Sequence, residues 1–237
     1  MESRPKDGET ASEWLKRANQ LAELGKFEQA LKDYDKAIRL DPKCVEAWDR
    51  RGVALYELSR FDEAFQSYDE AIKLNPRFVE ALNDKGLALY GIGLFEEALE
   101  CYDEAIRVDP RNSQTWNRRG VALHSLGRIQ EALRCYERVN KMNPELVDAW
   151  YNEGFALNDI RKFSEAVKCF NEVLKTKPEH IYALIDRGFA LYNLGRFEEA
   201  LESYDKVLRI DTSLGQAREG KKLAEEQLRE RGANGHS

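Results

Sequence analysis

The chain has 237 residues, 42% of them hydrophobic and 34% charged, with a formal net charge of −6. That acidity argues against a nucleic-acid backbone as main partner, since phosphate binding relies on clustered Lys and Arg. No apolar run approaches the roughly 20 residues a membrane helix needs, and the opening MESRPKDGET lacks the apolar core of a secretory signal, so the default compartment is the cytoplasm.

Residues 1–9 are polar, contain Pro5 and Gly8, and are expected to form a flexible leader. From residue 11 a unit recurs without insertions. Trp14 to Trp48 is 48 − 14 = 34 residues, and Trp116 to Trp150 is again 150 − 116 = 34. Gly52, Gly86, Gly120, Gly154 and Gly188 keep this step, as do Ala30, Ala64, Ala98, Ala132, Ala166 and Ala200. The array is therefore assigned to 11–214, as six copies: 11–44, 45–78, 79–112, 113–146, 147–180 and 181–214. A short fixed period implies units that pack mainly on their neighbours, so the expected fold is all-α, an α-solenoid of tandem helix-turn-helix repeats.

The second copy shows how each unit works. Ala47, Trp48, Gly52, Leu55 and Leu58 recur at spacings of three and four, which puts them on one face of a first helix, A. Ser59 and Arg60 form a turn whose first position is Gly25, Gly93, Gly127 or Gly195 in other copies, where a left-handed conformation costs glycine little. Phe61, Ala64, Tyr68, Ala71, Ile72 and Leu74 form the stripe of a second helix, B, which Asn75 and Pro76 terminate. So short a turn makes the helices antiparallel, and Gly52 and Ala64 mark where their axes approach.

One column of helix A is basic: Arg17, Arg51, Lys85, Arg119 and Arg187, with Glu153 the exception. A helix B column is acidic, as Asp35, Asp69, Asp103, Glu137 and Asp205, but Asn171 in the fifth copy. Because the two columns change together, a within-repeat ion pair is expected, Arg51 with Asp69. The rival pairing between neighbours would set Glu137 against Glu153. Cys101, Cys135 and Cys169 also share a column; stacked helices lie roughly 8–10 Å apart, beyond the approximately 7 Å limit for a disulfide. They are read as reduced thiols. His124, His180 and His236 are isolated, so no metal site and no cofactor is expected, and no catalytic group is identified.

After Leu214 the pattern changes. Residues 215–231 keep Ala217, Leu223, Ala224 and Leu228 for burial and read as a capping helix, with 232–237 a flexible tail. The stretch GQAREGKK (215–222) only superficially resembles a phosphate-binding loop, since no strand precedes it and Lys222 stands where a magnesium-binding hydroxyl is needed.

The W..LG..Y…A…F…P pattern and the period resemble those of tetratricopeptide repeat proteins, over about residues 11–214. The basic residue before the glycine, Ala18 in the glycine column and Thr212 at the last proline depart from that pattern. The resemblance implies a right-handed superhelix whose concave wall, lined by helix A, binds an extended peptide or a partner's helix. Carried over, the groove columns hold Lys16, Arg50, Asp84, Arg118, Asn152 and Asp186 beside Asp49, Asn83, Asn117 and Tyr151. A turn further on lie Asn19, Phe155 and Phe189, with Val53, Leu87 and Val121 between them, then Tyr56, Tyr90, His124, Asn158 and Tyr192. Asparagine both donates and accepts, which suits a peptide backbone, and the aromatics offer pockets. The family's two-carboxylate clamp for chaperone C-termini is not expected, because Leu15, Glu80 and Asp84 replace its cations and Tyr182 and Asp186 follow Asn152.

Glu23, Glu46, Asp49, Glu57, Glu80, Asp84, Asp148, Asp159 and Asp186 outnumber Lys16, Arg50 and Arg118 along these columns. The expected partner is a protein or peptide segment, neutral to basic, with apolar anchors; neither nucleic acid nor membrane is expected. The leading reading is a non-catalytic interaction scaffold. A self-assembling repeat protein stacked through its ends, or an accessory subunit of a multi-chain enzyme, is the alternative.

Overall fold

Two stripes of apolar residues at helical spacing, separated by a turn too short to do anything but reverse the chain, produce a helix hairpin in every repeat. The computed structural model describes residues 9–234, leaving most of the expected leader and residues 235–237 of the expected tail outside the described residues. Among the described residues there are thirteen helices and no strand. They are α1 (Ala11–Glu23), α2 (Phe27–Leu40), α3 (Val45–Glu57), α4 (Phe61–Leu74), α5 (Val79–Gly91), α6 (Phe95–Val108), α7 (Ser113–Ser125), α8 (Ile129–Met142), α9 (Val147–Asp159), α10 (Phe163–Thr176), α11 (Ile181–Asn193), α12 (Phe197–Ile210) and α13 (Gly215–Asn234). The chain divides into two compact units, residues 1–115 and 116–237. In the first, α1–α2, α3–α4 and α5–α6 pair as hairpins, and α1, α3 and α5 also touch in succession. In the second, α9–α10 and α11–α12 pair likewise, and α13 packs on α12 and α11.

The repeat glycine sits against the aromatic ring of its own second helix. A methyl group on Gly52 would stand 2.7 Å from Tyr68, and one on Gly154 would stand 2.7 Å from Phe170. These rings are sealed in the core, and glycine is what lets each ring approach the backbone it faces so closely. The turns take the left-handed conformation anticipated for glycine, and Ser59 (φ 59°) and Arg161 (φ 60°) adopt it as well. At the far ends of four of the hairpins, Asp41, Asn75, Asp109 and Asp211 accept a bond from the backbone N–H two residues on, which closes the turn around the proline or its Thr212 replacement. Trp48 and Trp150 then donate their indole N–H to the carbonyls of Pro42 and Pro144, fastening each repeat to the loop before it.

The expected within-repeat pairing of Arg51 with Asp69 is not what the structure shows. Arg51 Nε donates to Asp35 of the preceding repeat at 2.9 Å, and its Nη1 donates to Ser67 of its own repeat at 2.6 Å. Lys85 takes Asp69 at 2.6 Å. The reason is helical geometry: Asp69 lies two residues beyond Ser67, about 200° round the helix at 3.6 residues per turn, and so faces the next repeat. The clash that had counted against this arrangement is real. Glu153 is half-buried, and burial together with the Glu137 charge holds its carboxyl above the ordinary range, while Asn140 Nδ2 donates to it at 2.5 Å. Arg187, which faces Asn171 in that register, bonds Ser203 instead, at 2.8 Å.

Helix α13 continues the same register. Ala217 and Ala224 stand 34 residues after Ala183 and Ala190 (217 − 183; 224 − 190) and are fully buried, and Lys221 donates to Asp205 at 2.7 Å just as Lys85 does to Asp69. It sits as a further first helix does. Residues 215–222 lie within it as continuous helix, not as a loop that could hold phosphate.

Candidate functional site

The outward columns of the first helices hold the candidate residues, because those helices bury one face against their hairpin partners and leave the other free. Lys16, Phe155 and Phe189 are exposed. Asn19, Arg50, Tyr56, Asp84, Tyr90, Arg118, His124, Tyr151, Asn152, Asp186 and Tyr192 are half-buried. Asp49, Asn83, Asn117 and Asn158 are buried, so they shape the wall from beneath rather than present themselves on it. Tyr56, Tyr90 and Tyr192 pack tilted on Phe61, Phe95 and Phe197, with ring centroids 5.2–5.5 Å apart, which ties them to the hairpin turn.

In the first unit the wall is charged. Arg50 lies 3.8 Å from Asp49 and 3.8 Å from Asp84. Neither Asp49 oxygen has a hydrogen-bond partner. The sequence explains why: Asn83 donates to Thr115, 32 residues on, at 2.9 Å, but 32 residues after Asp49 stands Ala81. Burial, reinforced by the Asp84 charge, pushes the Asp49 carboxyl up to about 7. Beside it a cavity of about 550 Å³ is lined by Glu23, Glu46 and Glu57 with Arg50, Asn19 and Tyr34. Tyr34 donates to Asn19 at 2.8 Å, and Asn19 donates on to Glu46 at 3.3 Å.

In the second unit the wall is aromatic, and its polar groups are joined. Tyr151 donates to Asp186 at 2.9 Å, Asn152 donates to Asn117 at 3.1 Å, and His124 Nε2 lies 2.8 Å from Asp159. Burial raises the Asp186 carboxyl although the Tyr151 hydroxyl opposes it. Phe155 stacks on Tyr151 at 6.2 Å and meets His124 edge-on at 5.5 Å. A cavity of about 450 Å³ opens here, walled by Phe155, Phe163 and Phe189 and bordered by Asp159, Asp186 and Asn158. Of these, Phe163 lies outside the sequence-derived columns because it belongs to a second helix; it enters the cavity by packing edge-on against Phe189 at 5.9 Å.

Sequence comparison matches the tetratricopeptide repeat at residues 15–77 and 83–144, again at 147–180, and again at 181–213. No curated protein matches the chain in sequence. Among solved structures, the chain is similar to YrrB, a TPR protein with an unusual peptide-binding site (23% identity, 80% of this chain and 97% of that one, TM-score 0.66). It is also similar to PilW, a type IV pilus biogenesis factor (18% identity, 88% and 96%, TM-score 0.78), and to pilF of Pseudomonas aeruginosa (18% identity, 88% and 95%, TM-score 0.77). At these identities the likeness concerns the fold.

Proposed function

The chain belongs to the tetratricopeptide repeat family, and from that premise we propose that it is a non-catalytic interaction scaffold whose first-helix faces take an extended peptide or a partner's helix. One observation carries the reading. In the column Asn19, Val53, Leu87, Val121, Phe155, Phe189, three large apolar side chains stay open to water, Leu87 at 46%, Phe155 at 40% and Phe189 at 48%, on helices whose opposite faces are sealed. Apolar groups so placed gain about 25 cal/mol for each Å² a partner covers. The titratable groups beside them are engaged with one another, Tyr151 with Asp186 and His124 with Asp159, as suits a surface that binds rather than reacts. Glu23, Glu46 and Glu57 around the first-unit cavity favour a neutral to basic partner.

A peptide array of basic, neutral and acidic sequences, probed with the wild type and with Leu87→Ser and Phe155→Ser, tests this. Basic and neutral peptides with apolar anchors are expected to bind at roughly micromolar Kd, and each substitution to weaken them about tenfold. Equal binding of acidic and basic peptides would defeat the charge preference; indifference to both substitutions would remove the surface itself.

A further inference from the structure

We infer that the second-unit cavity between α9 and α11 is a receptor for an arginine side chain of the bound partner, an inference that rests on the peptide-binding reading above. The cavity is selective by the acceptors that border it. Asn158 spends its Nδ2 on the Asp186 carbonyl at 3.2 Å, and Asn193 spends its Nδ2 on the Phe189 carbonyl at 2.8 Å. One N–H of each amide is thus committed to backbone. Acceptors border it: the carboxylates of Asp186 and Asp159, which keep acceptor capacity beyond their contacts with Tyr151 and His124, and the Oδ1 of Asn158, buried and without a hydrogen-bond partner. Asn158 Oδ1 is sealed from solvent, so the two carboxylates are the acceptors open to a ligand.

The walls favour one cation over the other. Phe155 and Phe189 are among the most exposed aromatics of the chain, and with Phe163 they line the same volume of about 450 Å³. A guanidinium is planar, weakly hydrated and rich in donors, so it stacks on such rings while bonding carboxylates and carbonyls in its plane; an ammonium keeps its water more tightly. The two carboxylates repel each other across the cavity, and an arriving cation relieves this. Arg161 stands at the rim, in the left-handed turn after α9, where its positive charge competes with the ligand.

The test uses the isotope-labelled full chain, titrated by nuclear magnetic resonance with N-acetyl-arginine amide, N-acetyl-lysine amide and N-acetyl-citrulline amide. Saturable shifts are expected for the backbone amides of 158–163 and 186–193 with the arginine compound. The citrulline compound, of equal shape without charge, should bind about tenfold more weakly, and the lysine compound several-fold more weakly. Asp159→Asn and Phe189→Ser alter exposed side chains, and each should weaken arginine binding roughly tenfold. Arg161→Ala should leave it unchanged or tighter. Equal binding of arginine and citrulline compounds, arginine shifts confined to other residues, or loss of binding in Arg161→Ala would each overturn the inference. If array peptides bind this face yet keep their affinity when arginine is replaced by citrulline, the arginine receptor fails while the scaffold reading stands.

Discussion

The two units are built from one repeat and differ in how they treat a carboxylate on the outward face of the first helices. In the second unit, residues 35 apart bond across successive first helices: Tyr151 with Asp186, Asn117 with Asn152, His124 with Asp159. In the first unit the same offset sets Asp49 against Asp84, two acids, with Arg50 at 3.8 Å from each as their shared counter-ion. Around Asp49 are further Glu46 on α3, Glu80 on α5, and the buried rings of Tyr34 on α2 and Tyr68 on α4. The comparison teaches that the scaffold fixes the register and leaves the identity of each partner to the sequence. A register that donates in one unit repels in the other.

The largest expected effect follows from the unsatisfied acid. The Asp49 carboxyl is held at about 7 in the folded chain against an ordinary 3.8, so the folded state binds the proton more tightly. The stability this confers is fully present below the ordinary value and is lost as pH rises through about 7. Asp49→Asn, which installs the residue found at Asn83 and Asn117, should therefore exceed the wild type by on the order of 3 kcal/mol at pH 8. That margin should shrink steadily toward pH 4. Urea unfolding across this range measures it, and a margin independent of pH would show that Asp49 is ionised and satisfied.

Breaking the satisfied counterpart should have the opposite sign. Tyr151→Phe removes the donor to Asp186 and should cost about 1–2 kcal/mol at neutral pH, with the cost easing as the acid takes up a proton at lower pH. A loss that ignored pH would point to packing rather than to the hydrogen bond. The smallest effect concerns the basic column common to both units. A double-mutant cycle on Arg51 and Asp35 should give a coupling of roughly 0.2–1 kcal/mol, and the cycle on Arg51 and Asp69 should give none. Lys221 with Asp205 in the second unit should match the first of these, since its contact is 2.7 Å.

The period, the helix pairs and the glycine turns were legible in the sequence, because each rests on spacing along a single helix or on one residue's backbone freedom. The partner of the basic column was not. The joint change at Glu153 and Asn171 fits an interaction in which both columns take part, but which neighbour is reached depends on how one hairpin seats against the next. Likewise the sequence placed Asp49 and Asn117 in one column; that the first is sealed and without a hydrogen-bond partner while the second accepts from Asn152 depends on what the adjacent helix offers. Phe163 and Arg161 entered the second-unit cavity unannounced, although an arginine where other turns carry glycine was a visible signal.

By itself, then, the sequence determined that this protein is a tandem array of helix hairpins, since periodicity and small-residue placement are local properties of the chain. Only the tertiary structure decided which outward groups are open to a partner, which are buried, and which charges meet. Those outcomes depend on distances of a few ångströms between residues 16 to 35 positions apart, and helix stacking alone sets them.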